Sequence, residues 1–196
     1  MATRGGTRGL SLVLASRSPQ RRAILEQLGV SFAVRPADVV EDATGEPAAL
    51  ALAHALRKAR AAVGDPAETV LGVDTVVALE GEVFGKPSDE QAARSVLTRL
   101  AGRTHAVHSG VAVLHAGHER TASAVTSVTF RPLDPAQVAA YAATGEWRQR
   151  AGGYAIQGRG AVLVRRIEGD YLNVVGLPVA ALVDLLPALL APQPAR

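Results

Sequence analysis

One stretch limits the architecture more than any other: Thr69–Leu79, TVLGVDTVVAL, in which Asp74 is the only charged residue. A strand at a solvent face alternates apolar with polar residues. This one stays apolar on both sides of the pleat, so both its faces are covered. A carboxylate in such a strand is costly unless it is paired, hydrogen-bonded or bound to a metal. Two readings of Asp74 follow, a salt bridge to a nearby arginine or a functional carboxylate. Thr75 adds a hydroxyl beside it.

The elements around this strand are legible from caps and breakers. Leu10–Ala15 is an apolar run that reads as a first strand, and Ser18-Pro19 then opens a helix to about Leu28, ended by Gly29. Ser31–Arg35 reads as a second strand. An acidic loop with Asp38, Glu41, Asp42 and Glu46 leads to a helix over Pro47–Val63, stopped by Gly64. Glu80-Gly81-Glu82 turns the apolar strand into a short partner, and Asp89–Leu100 is helical. His105–Leu114 and Ala122–Arg131 read as long strands joined through His115–Arg120, and Pro132–Thr144 as a helix. Ala161–Ile167 and Tyr171–Val175 read as strands, with a last helix over Leu177–Leu190. The expected fold class is α/β: a mixed, twisted sheet with flanking helices. The first nine residues, MATRGGTRG, read as a flexible tail, and residues 10–190 as a single domain.

Composition excludes several chemistries. The chain has no cysteine, so disulfides, thiolate catalysis and cysteine-based metal sites are ruled out, which fits a cytoplasmic protein. A net charge of +3 spread along the chain, with 4% aromatics, suits a small anionic ligand better than a nucleic acid. Asp184, Pro178 and Pro187 interrupt the longest apolar stretch, which argues against a membrane span. The histidines, His54 among them, lack metal-ligand spacing and read as surface or strand residues.

Three features carry chemistry. The segment Ser16-Arg17-Ser18-Pro19-Gln20-Arg21-Arg22 joins a strand to a helix, where free amides, two serine hydroxyls and an arginine fork suit a phosphate. Lysines number two, Lys58 and Lys86, against nineteen arginines. Lysines that persist on such a background mark places where a compact ammonium serves better than a planar fork. Two ammonium groups converging on Asp74 would suit a polyphosphate and a metal. Finally, Ala151–Gly160, AGGYAIQGRG, lets backbone approach a ligand, with Gln157 as its one side-chain amide. It is neither a P-loop nor a dinucleotide fingerprint.

Taken in order, LASRSPQRRAIL, LRKA, LGVDTVV, GKP, SVTFRPL, AGGYAIQGRG and GDYLNVVGLP resemble the Maf family of nucleoside triphosphate pyrophosphatases, from about Leu10 to Leu186. The resemblance implies two lobes around a central cleft, as in the inosine-triphosphate pyrophosphatases. It also implies hydrolysis of a nucleoside triphosphate to monophosphate and pyrophosphate with a divalent cation, Mg or Mn. By it, Asp74 is the catalytic acid residue, Ser16, Ser18, Arg21, Lys58, Lys86 and Gln157 bind substrate, and Glu41 joins Asp74 at the metal. The family's usual Asp before that glutamate is Val40 here. Gln20, Thr75 and Gln157 match selectivity positions. Gln20 replaces the first arginine of the signature Ser-x-Ser-Pro-Arg-Arg, and Arg22 is the nearest residue able to compensate. The Ile-Gln-Gly form looks like the branch acting on dTTP and UTP, with the 7-methyl-GTP branch as the alternative. A homodimer is compatible with the family. A nucleotide-binding regulator of cell division without turnover is a second class of function, to be separated by a turnover assay.

Overall fold

The computed structural model describes residues 11–42 and 44–190. The expected N-terminal tail lies outside them. Among the described residues seven strands form one mixed sheet: Leu12–Leu14 (β1), Phe32–Val34 (β2), Thr69–Leu79 (β3), Glu82–Phe84 (β4), Thr104–His115 (β5), His118–Phe130 (β6) and Val164–Glu168 (β7). The strand order is β2-β1-β3-β5-β6-β7, with β4 attached to β3. Helices Pro19–Gln27 (α1), Pro47–Ala61 (α2), Glu90–Leu100 (α3), Pro135–Ala142 (α4), Tyr171–Val175 (α5) and Val179–Leu185 (α6) cover it.

β3 is the spine. Its residues are buried throughout except Thr75, as its unbroken apolar run required. Along one edge it pairs antiparallel with β5 from Thr69 to Ala78. Its other edge is shared: β1 pairs with Thr69–Leu71 in parallel, and β4 with Val77–Leu79 antiparallel. Along that edge, between these two partners, Gly72–Val76 have no strand beside them among the described residues, and Asp74 is the middle residue of that gap. The gap separates two packed regions. On one side Val77, Leu79, Leu97, Phe130 and Tyr141 form a core beneath α3 and α4. On the other, Leu14, Leu25, Leu71, Val73 and Leu182 pack beneath α1 and α6.

The opposite face of β3 meets α2 at close range. Ala51, Ala55 and Ala59 repeat every fourth residue and are fully buried. They lie over Gly72 and Gly110, where an added Cβ would meet Ala55 O at 2.1 Å and Ala51 O at 2.4 Å. Small residues on both partners bring the helix backbone against the sheet.

The structure corrects several expected boundaries. Tyr171–Val175 is a helix, not a strand: the Asp170 side chain accepts the Leu172 N–H at 2.7 Å, and Gly176 at φ 127° stops it. β5 and β6 pair as far as His115 and His118, so Ala116 (φ 50°) and Gly117 (φ 77°) make a two-residue turn in place of the longer loop. The last helix ends at Leu185 and gives way to a 3-10 turn at Pro187–Leu190, because Pro187 cannot continue it. Ala161–Leu163, read as the start of a strand, lie in a 3-10 turn over Gly158–Leu163. Among the described residues no helix is long and apolar enough to cross a membrane.

Candidate active site

The gap in the β3 edge opens into a cavity of about 830 Å³. That volume is within the range of small-molecule sites. Ser16, Ser18, Gln20, Arg21, Glu41, Lys58, Asp74, Thr75, Lys86 and Gln157 all line it. The topology thus gathers these residues that the sequence nominated, though not Arg22.

Asp74 is 6% exposed and points to the α2 face. Lys58 donates to its Oδ1 at 2.5 Å, and His54 Nδ1 lies 3.1 Å from its Oδ2. The Asp42 N–H donates to His54 Nε2 at 3.0 Å. That bond makes Nε2 the acceptor, so in the neutral ring the proton sits on Nδ1 and is donated to Asp74. Both carboxylate oxygens are therefore held, by two residues one helical turn apart on α2.

His54 corrects the expectation that the histidines lie on the surface or in strands. It is 2% exposed and belongs to a helix. Spacing could have found it, since His54 precedes Lys58 by four residues and shares its helix face.

The acidic loop is ordered by charge pairs. Arg17 holds Asp38 through two bonds of 2.8 and 3.0 Å, and Arg57 holds Asp42 at 2.7 Å. Glu46 caps α2 by accepting the N–H groups of Ala48 and Ala49. Glu41 remains, and its Oε1 meets Lys58 Nζ at 2.5 Å. Partial burial pushes the Glu41 carboxyl up, but the bond and charge of Lys58, with Lys86 and His54 nearby, outweigh it and hold the group below its ordinary value. Lys86 follows β4, whose neighbour Gly85 accepts the Gly152 N–H at 3.1 Å. This contact ties Lys86 to the Gly-rich loop.

Glu41, His54 and Asp74 each offer one ligand atom, all within 4.8 Å of one another. Lys58 already bridges Glu41 and Asp74, which shows that one cation is accommodated between these carboxylates. Both nitrogens of His54 are already bonded, so the two carboxylates are the ligands open to a hard divalent ion, which they fit.

Thr75 points to the other face of β3, as the pleat demands. Its hydroxyl lies 2.9 Å from Ser109 Oγ and accepts from Arg21 Nη2 at 3.2 Å. Arg21 also donates to Ser16 Oγ at 3.0 Å and to Gly176 O at 2.8 Å. Three of its five N–H donors are thus used on neutral acceptors. Burial lowers the pKa of this guanidinium, against the opposing pull of Asp74 and Glu41. A buried cation with neutral partners favours an incoming anion. Ser18 caps α1 by accepting the Arg21 N–H at 3.4 Å. Arg22, expected as a substitute for the missing signature arginine, instead faces Glu26 at 3.9 Å on the outer surface of α1.

The Gly-rich loop forms two 3-10 turns, Ala151–Gly153 and Gly158–Leu163. Glu146 accepts the N–H groups of Arg159 and Gly160, and Tyr141 Oη accepts that of Ala155 at 2.9 Å. Gln157 stands exposed at the cavity wall between these anchors.

Known proteins resemble this chain in sequence and in fold. The family described as Maf-like protein matches residues 11–189. A dTTP/UTP pyrophosphatase of Moorella thermoacetica is 52% identical over 180 residues, covering 89% of this chain and 93% of that protein. Proteins of the same description from Symbiobacterium thermophilum (47% identical, 89% and 92% covered) and Pyrococcus furiosus (42% identical, 89% and 93% covered) are also similar. Among solved structures, the Ham1 protein of Staphylococcus aureus superposes with a TM-score of 0.51 over 92% of this chain and 97% of its own, at 16% identity. That likeness concerns the fold alone, and it bears out the expected α/β class. With a family match across nearly its whole length and relatives this similar, the chain belongs to the Maf family.

Proposed function

We propose that the protein hydrolyses nucleoside triphosphates to the monophosphate and pyrophosphate, with dTTP and UTP as its substrates and a divalent cation, Mg or Mn, as its cofactor. One observation carries the reading: a carboxylate held by Lys58 and His54 faces a cavity whose other charged walls are largely cationic. Relatives named dTTP/UTP pyrophosphatase support the substrate class.

In this mechanism Asp74 orients the attacking water and takes its proton. His54 keeps the carboxylate in one rotamer while it does so. Lys58 has a flexible stem and can turn its ammonium toward the phosphates while Glu41 and Asp74 remain in reach of the metal. Glu41 and Asp74 would hold the divalent ion, which would supply charge neutralisation for the phosphates. Arg21, Lys86 and the amides and hydroxyls at Ser16–Ser18 hold the polyphosphate and stabilise the leaving pyrophosphate. Cations arranged around that leaving group favour attack at the α-phosphorus. Gln157 pairs its amide with the carbonyl and ring N–H of a pyrimidine, which a carboxylate cannot do.

The test is pyrophosphate release across a panel of nucleoside triphosphates, with metal and with chelator. The reading expects metal-dependent turnover highest for dTTP and UTP. It expects Gln157→Glu to shift that preference by roughly 1–3 kcal/mol, the scale of one unsatisfied polar group. Highest turnover on 7-methyl-GTP would move the assignment to another branch of the family. Nucleotide binding without turnover would replace it with a regulatory role.

A further inference from the structure

Gln20 departs from the family signature, and the structure brings another side chain to it. Arg148, Gln149 and Arg150 all line the cavity just before the Gly-rich loop. Gln149 sits at φ 61°, in a left-handed conformation unusual for a residue with a side chain. Arg150 follows in an extended conformation, φ −119° and ψ 128°. Its guanidinium reaches the N-terminal turn of α1. With the Gln20 amide oriented to satisfy its neighbours, Nε2 donates to Ser18 Oγ at 3.1 Å, and Oε1 accepts from Arg150 Nη2 at 3.0 Å and Nη1 at 3.1 Å.

The chemistry of this contact is specific. Arg17, Arg35, Arg57, Arg60, Arg94 and Arg99 each meet a carboxylate. Among the described residues Arg150 meets no carboxylate, only a neutral carbonyl oxygen. Its position is held while its charge is kept. An arginine at position 20 would repel it. A neutral amide accepts two of its N–H groups and leaves the others for a ligand.

We propose that Arg150 binds the triphosphate of the substrate and that Gln20 is its positioning residue. Together they supply from the Gly-rich loop a guanidinium at the α1 N-terminus. Planar forks of this kind pair with phosphate oxygens through two parallel bonds. The proposal rests on the nucleotide reading given above, and its test is built to stand apart from it.

Inorganic tripolyphosphate is the probe, titrated calorimetrically with Mg present against the full-length wild type, Arg150→Ala, Arg150→Lys, Gln20→Ala, Gln20→Ala/Arg150→Ala and Gln20→Arg/Arg150→Ala. KM and kcat for dTTP are measured in parallel. Arg150→Ala is expected to weaken tripolyphosphate binding roughly tenfold or more, the loss of one charge-assisted phosphate contact. KM should rise to match while kcat stays within about twofold. Arg150→Lys keeps the charge and secures the result against misfolding of the alanine variant; it should recover part of the binding. Gln20→Ala should weaken binding less than Arg150→Ala, with no added effect when Arg150 is already alanine. Gln20→Arg should restore binding in the Arg150→Ala background. Tripolyphosphate affinity within twofold of wild type for Arg150→Ala overturns the proposal, as does full additivity of the Gln20 and Arg150 substitutions. If the wild type turns over no nucleotide, the proposed function fails alone, and the tripolyphosphate titrations still decide the role of Arg150.

Discussion

Gly72→Ala tests how fold and site are joined. Alanine for glycine in regular structure usually stabilises a protein by about 0.4–1 kcal/mol through the unfolded state. Here the sign should reverse. A Cβ on Gly72 would lie 2.1 Å from Ala55 O and 2.8 Å from both Ala59 N and Ala59 Cβ. A relaxed carbon–oxygen contact is about 3.3 Å, so the backbone of α2 must retreat by roughly 1 Å. No flexible side chain is available to absorb the clash. Overpacking of this kind costs about 1–3 kcal/mol, which for a chain of this size lowers Tm by roughly 2–12 °C. The same displacement carries His54 and Lys58 away from Asp74. Their present contacts of 3.1 and 2.5 Å leave little room for it. A misplacement of about 1 Å typically lowers activity on the order of 10²-fold. Calorimetry and pyrophosphate release would be compared with Gly85→Ala as control, where an added Cβ meets nothing within 4 Å. Unchanged Tm together with kcat/KM within twofold of wild type would refute the claim that glycine seats α2 on β3.

Three further outcomes are expected. Asp74→Asn should fold but lose on the order of 10²-fold or more in kcat, and retention of half the wild-type rate would remove Asp74 from the mechanism. Lys86→Arg should fold normally and lose kcat/KM, because the wider fork displaces the charge; equal kinetics would make this lysine incidental. His105 titrates with the fold. Burial lowers its pKa from 6.5 to about 4, and its Nε2 lies 2.9 Å from Tyr154 Oη. Below pH 6.5 the unfolded chain takes up a proton that the folded one refuses. The stability contributed is thus present above about pH 6.5 and lost as pH falls to about 4, by up to roughly 3 kcal/mol. His105→Leu should flatten that slope in chemical denaturation, and an unchanged slope would assign it to other groups.

The sequence was most readable where one residue's chemistry fixed its surroundings. The apolar run around Asp74 gave β3 at Thr69–Leu79 without error, because a strand covered on both faces has no solvent side to blur its ends. Ser18-Pro19 marked α1 for a similar local reason, a cap followed by a residue that fits only the first turn. Tyr171–Val175 misled because aromatic and β-branched residues favour strands, while Asp170 and Gly176 set its ends as a helix. His54 was missed because its role depends on Asp74, twenty residues away in sequence and 3.1 Å away in space. The link between Gln20 and Arg150 was hidden in the same way. The close seating of α2 on Gly72 and Gly110 also depends on register, which no single segment encodes.

The central claim is that Asp74 directs water at the α-phosphorus of a pyrimidine nucleoside triphosphate. Hydrolysis of dTTP in ¹⁸O-labelled water, with both products resolved by mass spectrometry, tests it most directly. The account expects dTMP and pyrophosphate, with the label in dTMP, at a rate that Asp74→Asn nearly abolishes. Label confined to pyrophosphate, or dTDP and phosphate as products, would contradict it.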